Sequence, residues 1–559
     1  MPEHTATHRG RPHGPPSQQQ HDARHLAVAG AFVFVAAFAL MLLCMDREVG
    51  PYDEGIVLFG AARVASGDVP HRDFYANYGP AQFYILAFLF EVFSPSVLVE
   101  RAWDAAARSA SVVLTFLIVA RVASIAAAWL AALASLAWLA ALGSHGYPVF
   151  PALAAALASL LCLMPAFAGA YSAPWLLAAG SCVGLVALFR YDVGFFVLVA
   201  EGLVLGACTL SRARQAGQGA SRQLVRAALP FGAGLGLVAL PVAAAYAAAG
   251  VLDGFFFDIV SFPSQHYART RSLPFPIRSA LRGKPPAISV YLPPLACAAA
   301  MPAILASVRR PGGHGEARRF WTLLGLMALT AAFFAKGFVR VSPLHMVMAI
   351  IPSVSLVTVL ADHARRERGR GPIIRWSARV GVTGAAILTL GALLTTVERA
   401  GLNLARLAQG TGCHTPAGLE RLACFAIDQN RADAIQYVQQ RTGADEAILV
   451  GLGRHDKIFV NDVAFYFLAG RWSATRWHHM DPGLQTAAPI QREMVAELSA
   501  RLPRFVLLDS RWDAVEEPNA SAVGSGVTIL DDYIRSHFKP VATFGTVTVL
   551  QGPGPRAAP

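Results

Sequence analysis

Two carboxylates stand side by side at Asp53 and Glu54, fewer than ten residues beyond the end of the first long apolar stretch. A carboxylate at the edge of an apolar phase can act as general base toward a hydroxyl. The same residues also fit the start of a helix over about 54–66, with Asp53 as N-cap, Glu54 complementing the helix dipole and Gly67 closing the helix. Cations gather in two other places. The stretch 251–287 carries Arg269, Arg271, Arg278, Arg282 and Lys284, interleaved with Phe255, Phe256, Phe257 and Tyr267. The short stretch AKGFVRVSPLH brings together Lys336, Arg340 and His345. Aromatic and basic side chains in this mixture suit an anionic group, such as a phosphate, held at the edge of the apolar phase. The alternatives are a solvated loop over 251–287 and an ordinary hydrogen-bonded His345 at a helix start. One carboxylate to take a proton from an acceptor hydroxyl, with cations to receive a phosphate leaving as an anion, is a sufficient kit for group transfer from a phosphate.

The elements that must position these groups follow from composition. The chain has 559 residues, 55% hydrophobic and only 15% charged, and its mean hydropathy is +0.46. Soluble domains carry about 25% charged residues, so a string of soluble domains is excluded. So are disorder, collagen and a disulfide-rich scaffold, since there are 7 Cys and no Gly or Pro repeat. An integral membrane protein with one soluble appendage remains.

A hydrocarbon core of about 30 Å needs roughly 20 apolar residues in a helix. About eleven segments qualify as spans, with approximate ends: 26–44, 98–120, 122–142, 150–168, 173–189, 193–210, 225–250, 288–309, 319–335, 343–361 and 377–398. The first is no cleavable signal, because Asp46-Arg47-Glu48 follows Cys44 without a small-x-small site. Residues 1–25 read as a disordered cytoplasmic tail. With the N-terminus inside, the arginine-dense loops 211–226, 309–319 and 362–379 all fall on the cytoplasmic side, as the positive-inside rule requires. Much of the net charge of +12 is thereby a topological signal and no footprint of nucleic acid. The loops 45–97 and 251–287 and everything after about 399 fall on the exterior. The segment 80–93 is too short to cross, and fits an interfacial or re-entrant helix with Phe83 and Tyr84 at headgroup depth.

After residue 399 polar residues return, and the pattern predicts a small α/β domain with a parallel or mixed sheet. Helices are expected over 430–442, 489–502 and 526–538, and strands over 446–451, 504–509 and 541–551, the last with a glycine bend. Cys413 and Cys424 lie eleven apart in this region, where an oxidising compartment favours a disulfide over two thiols. The stretch 465–483 concentrates Arg471, Trp472, Trp477, His478 and His479, which suits a sugar or headgroup surface, or else a hydrophobic turn docking on the membrane unit. Arg190-Tyr191-Asp192, at an exterior turn, reads as an internal ion pair. The turn 143–149 offers His145 and Tyr147 and no carboxylate. No Cys/His spacing resembles a zinc site, and GLGRH at 451–455 lacks a dinucleotide fingerprint.

The first exterior loop also carries an ordered series: Asp53-Glu54, Gly67-Asp68-Val69-Pro70, Asp73-Phe74, Gly79-Pro80, Phe83-Tyr84 and Arg101 at the next span. This series resembles the polyprenyl-phosphate-dependent, multi-span glycosyltransferases of the GT-C superfamily, such as protein O-mannosyltransferases and lipid A aminoarabinose transferases. The detailed likeness covers about 70 residues, and span count and tail extend it loosely over the chain. The resemblance implies a polytopic helical domain over 26–398 and an exterior α/β domain over 399–559, in a bacterial inner membrane. It makes Asp53 the base, Glu54 its positioning neighbour and Arg340 the principal ligand of the donor's isoprenoid phosphate. Asp73, Tyr78, His145, Tyr147, Arg471 and Trp472 are the candidate sugar or acceptor contacts. Relatives place a second acid near 143–149; its lack here argues against an obligatory metal, and no cofactor is expected. Expected partners are a polyprenyl-phosphate-linked sugar, membrane lipids and a glycan, lipid or protein acceptor. A single displacement would invert the anomeric centre. A transporter or flippase of lipid-linked sugars should instead place ionisable groups at mid-bilayer, and a noncatalytic assembly scaffold would use the exterior domain to recruit partners.

Overall fold

The computed structural model describes residues 16–143, 146–277, 288–308, 314–366, 372–410, 413 and 415–553. Runs rich in Ala, Leu and Val form long helices, several started by side-chain caps. Ser96 accepts from Val99 N ahead of Val97–Ala120, and Ser124 from Ala127 N ahead of Ile125–Ala141. Each of the eleven expected spans is helical. Among the described residues eight helices are long and apolar enough to cross a membrane. Ile125–Ala141, Ala173–Phe189 and Leu292–Val308 are equally apolar and 17 residues long. Of the tail 1–25, residues 1–15 lie outside the described residues, and the first helix begins at Pro16.

The helix after the first span starts at Asp53 itself, one residue earlier than expected. Ile56 N donates to Tyr52 O at 2.8 Å, so Tyr52 takes the N-cap place and Asp53 is the first helical residue, with no capping role. Pro80–Phe93 is helical, with Tyr84, Phe88, Val92 and Phe93 exposed along it. Phe83 is fully buried, edge-on to Phe74 at 5.8 Å. The two long loops at this end are buttoned together. His71 Nδ1 lies 2.9 Å from Asp258 Oδ2, both side chains being wholly buried, and Ala76 N donates to the same oxygen at 3.1 Å. Asp258 belongs to the first of two successive π-helical turns, Phe257–Ser261 and Pro263–Tyr267.

The last long helix, Pro372–Ala408, leads to a five-stranded mixed sheet. Strand β1 (Ala447–Leu452) pairs in parallel with β2 (Trp472–Ser473) and β3 (Phe505–Asp509). Strand β5 (Val547–Gln551) pairs antiparallel with both β3 and β4 (Lys539–Phe544), giving the order β2-β1-β3-β5-β4. The single strand expected over 541–551 is thus a hairpin, turned at Gly545, whose φ of +58° suits glycine. Cys413 and Cys424 form a disulfide ahead of the sheet.

This α/β region sits directly on the helix that carries Asp53. Ala464 N donates to Pro51 O at 3.0 Å, and Phe59 stacks on Tyr466 at 4.8 Å. A Cβ at Gly55 would lie 2.3 Å from Ala464 N, so the approach of the helix Ala464–Ala469 requires glycine there. A buried Arg431–Asp462 pair at 2.5 Å adds a further tie, since Arg431 Nη1 also donates to Val49 O at 3.4 Å.

Candidate active site

Asp53 and Glu54 are adjacent in sequence and separate in role. Glu54 is buried at 2% exposure, receives Arg101 Nε at 2.7 Å and Nη2 at 3.1 Å, and accepts from Gly50 N. Arg101 also donates to the carbonyls of Asp46 and Glu48. Glu54 is therefore committed to holding the loop against the next helix. Asp53 is half-buried, and its Oδ1 accepts from the Tyr78 hydroxyl at 2.8 Å. Burial, and then the negative charge of Asp53, push the Tyr78 phenol well above its ordinary range, so Tyr78 stays a hydrogen-bond donor.

Tyr78 is delivered by the Gly79-Pro80 turn, where Gly79 N donates to Phe189 O at 3.1 Å and Tyr191 OH to Asn77 O at 3.2 Å. Those bonds bring the turn Arg190-Tyr191-Asp192 to the site. Arg190 pairs with Asp192 through Nε at 3.0 Å and Nη2 at 2.8 Å, reaches Tyr147 OH at 3.4 Å, and lies over the rings of Tyr78 and Tyr147 at 5.6 and 5.9 Å. The internal pair read from sequence exists, and it is also a wall of the site. Lys336 Nζ lies 3.5 Å from Asp192 Oδ2. His345 Nδ1 bonds Ser342 Oγ at 2.7 Å, and the ring lies edge-on to Tyr147 at 6.3 Å.

A second layer comes from the C-terminal region. Arg271 Nη2 donates to Asp481 Oδ1 at 2.6 Å and to Tyr52 OH at 3.0 Å, and Tyr52 OH donates to the same Asp481 oxygen at 2.5 Å. Burial raises the Asp481 carboxyl, but Arg271 beside it holds the group below the usual carboxylate range. Arg340 forms a two-pronged pair with Glu517, at 2.8 and 2.6 Å, and donates to Arg271 O at 2.8 Å. A short bridge between Leu273 and Arg340 holds the two arginine segments together. Around Asp53 and Asp192 there are thus four cations (Arg190, Arg271, Lys336, Arg340) and two further carboxylates, Asp481 and Glu517. Among the described residues these charges balance. The loosest of these pairs is Lys336–Asp192, at 3.5 Å.

Other expected contacts go elsewhere. Asp73 accepts from Val69 N at 2.7 Å and pairs with Arg72 in the turn of its own loop. Arg471 is buried, its guanidinium spent on Thr442 Oγ1 and on the carbonyls of Gln439, Thr442, Ala469 and Gly470. Trp472 lies on β2, tilted against Phe59 at 6.3 Å. Arg471 therefore ties β2 to the turn at 439–442 within the α/β region, and the half-buried Trp472 packs where that region meets the Asp53 helix. Arg269 is exposed on the short helix Ala268–Thr270. His145, Arg278, Arg282 and Lys284 lie outside the described residues. Sequence reasoning missed Tyr52, Asp481 and Glu517. Tyr52 had a signal, an aromatic directly before the acidic pair; the other two had none. Among the described residues no group of three His, Cys, Asp or Glu side chains converges to hold a metal ion.

No family model and no curated protein matches the sequence. Solved structures do match its shape. ArnT from Cupriavidus metallidurans in the apo state superposes with a TM-score of 0.55 at 14% identity, covering 94% of this chain and 98% of that one. The same protein bound to undecaprenyl phosphate gives 0.52 at 15% identity, over 94% and 97%. The chain has the fold of ArnT. The archaeal oligosaccharyltransferase AglB from Archaeoglobus fulgidus, in complex with an inhibitory peptide and a dolichol-phosphate, matches more loosely, with a TM-score of 0.48 at 11% identity over 94% of this chain and 74% of that one.

Proposed function

We propose that this chain is a membrane glycosyltransferase that moves a sugar from a polyprenyl-phosphate donor to a hydroxyl acceptor. The observation that carries the reading is a half-buried Asp53, oriented by Tyr78 and ringed by cations, at one end of a helical bundle with the ArnT fold. That ArnT was solved with undecaprenyl phosphate supports a phosphate of that type as the leaving group here. In the reaction the acceptor oxygen attacks the anomeric carbon, the bond from that carbon to the phosphate oxygen breaks, and the hydroxyl proton passes to Asp53. Phosphate departs as an anion and needs no proton, only positive charge. Lys336, held by Asp192 alone at 3.5 Å, is the cation most available to receive it. Single displacement inverts the anomeric centre. The active end faces the exterior of a bacterial inner membrane with the N-terminus in the cytoplasm, and the acceptor is a glycan, a lipid or a protein.

A transporter of lipid-linked sugars is the second reading. Glu201, within Tyr191–Gln215, is bonded to Ser159 Oγ and Asp104 pairs with Arg108 at 2.8 Å, yet among the described residues Glu201 Oε1 and Asp104 Oδ1 are buried without a hydrogen-bond partner. Mass spectrometry of the lipid that copurifies with the protein tests the proposal. A polyprenyl-phosphoryl sugar, or the free polyprenyl phosphate left after transfer, is expected; phospholipid alone would count against it.

A further inference from the structure

The end of the bundle remote from Asp53 contains a cavity of about 380 Å³ whose lining includes Arg121, Arg318, Arg319, Arg366 and Glu316. These side chains come from three places: the turn after Val97–Ala120, the first turns of His314–Gly337, and the last turn of Pro343–Arg366. Two of the four guanidinium groups are well occupied. Arg319 donates to Val122 O at 3.0 Å and lies 2.9 Å from His363 Nδ1; Arg366 pairs with Asp362 at 2.8 Å. The other two are not. Among the described residues, the exposed Arg121 reaches only the Leu117 carbonyl, at 3.5 Å, and the buried Nε of Arg318 has no hydrogen-bond partner. Burial and the neighbouring Arg318 also push the Arg121 guanidinium below its ordinary value, the mark of a cation held near another without enough counter-charge. The helices Ile125–Ala141 and His314–Gly337 both begin at this end, adding their N-terminal dipoles.

Depth and surroundings narrow the ligand. Arg318 and Lys336 lie on one helix, about 27 Å apart at 1.5 Å per residue, close to the thickness of the hydrocarbon core. If Lys336 marks one headgroup layer, Arg318 marks the other. Ile125 and Trp129, one turn apart on the helix that begins beside the cavity, are 54% and 40% exposed and offer an acyl chain a path. A soluble anion has no use for that apolar track. We propose that this cavity is a binding site for the phosphate of an anionic phospholipid in the leaflet opposite the active site, gripped by Arg121 and Arg318. Basic pockets between helices commonly take such headgroups.

Native mass spectrometry and thermal unfolding of the full chain, delipidated and returned to nanodiscs of phosphatidylcholine with or without phosphatidylglycerol, test this. Phosphatidylglycerol should be retained by the wild type, raise its unfolding temperature, and be retained at least tenfold less by R121Q/R318Q. R214Q/R222Q removes the same charge from exposed positions outside the cavity and should retain lipid like the wild type. E316Q removes an anion from the lining and should strengthen retention, which keeps the test open if R121Q/R318Q fails to fold. Equal retention by R121Q/R318Q, equal loss in R214Q/R222Q, or no gain in E316Q would overturn the site. Stabilisation of the same size by inorganic phosphate would overturn its assignment to a lipid.

Discussion

Arg340 and Glu517 form a two-pronged ion pair at 2.8 and 2.6 Å, joining a turn between two long helices to a loop of the C-terminal α/β region 177 residues away. The cation expected to grip the donor phosphate is therefore already gripped. Glu517 is its counter-charge: burial raises its carboxyl, yet Arg340 holds it below the usual range. Asp481 does the same to Arg271. The C-terminal region thus supplies counter-charges to the site as well as packing on it.

Glu517→Gln removes the competing charge and leaves Arg340 free to meet the lipid phosphate. Affinity for undecaprenyl phosphate should rise by about fivefold, the size of a partly exposed ion pair of roughly 1 kcal/mol. Binding measured in detergent checks this, and Arg340→Ala placed on top of Glu517→Gln should cancel the gain.

Tyr78→Phe deletes the hydroxyl that orients Asp53 and leaves the ring over which Arg190 lies. A hydrogen bond to a charged group contributes about 1.5–3 kcal/mol, so kcat should fall by roughly tenfold or more. KM for the donor should change little, because the hydroxyl bonds the base alone and the ring beneath Arg190 is kept.

Glu54→Gln should act on folding. It leaves Arg101, 1% exposed, without its carboxylate, and breaking one side of a buried pair costs about 3–5 kcal/mol. Folded yield and unfolding temperature should both drop, in contrast to Asp53→Asn at the half-buried neighbouring position.

Acid should loosen the C-terminal region. Burial lowers His479 to about 4 and His478 well below its ordinary value, and both rings are fully buried. An unfolded chain binds protons on these histidines as pH falls through about 6.5, whereas the folded chain does not until near pH 4. Stability is therefore full above pH 6.5 and declines from there toward pH 4, by about 3 kcal/mol for His479 alone. Hydrogen exchange in 464–485 between pH 7 and 4.5 should show the loss, and His479→Gln should flatten it.

Much of this was legible in the chain. Apolar runs gave away the helices because a span needs length and hydrophobicity, and both are local properties. Asp53 stood out for its place at the end of such a run, and Lys336 because a charge so near hydrocarbon is rarely idle. The limits were also local. The pattern could not say that Arg190 and Asp192, a bland pair two residues apart, would be brought to Asp53 by Tyr191 and Gly79 bonding the first loop. Asp481 and Glu517 lie in an α/β region whose alternation reports only a sheet, and their partners are about 200 residues away. Arg471 and Trp472 looked like a sugar surface because arginine and tryptophan also compose well-packed interfaces, and here they do the latter.

The most direct test is sugar transfer by full-length Asp53→Asn protein in lipid nanodiscs, with the donor lipid identified by mass spectrometry and its binding measured in parallel. The account predicts wild-type expression, wild-type affinity for polyprenyl phosphate and a transfer rate lower by about 10²–10⁴-fold, the usual contribution of a general base. Transfer at the wild-type rate would contradict it.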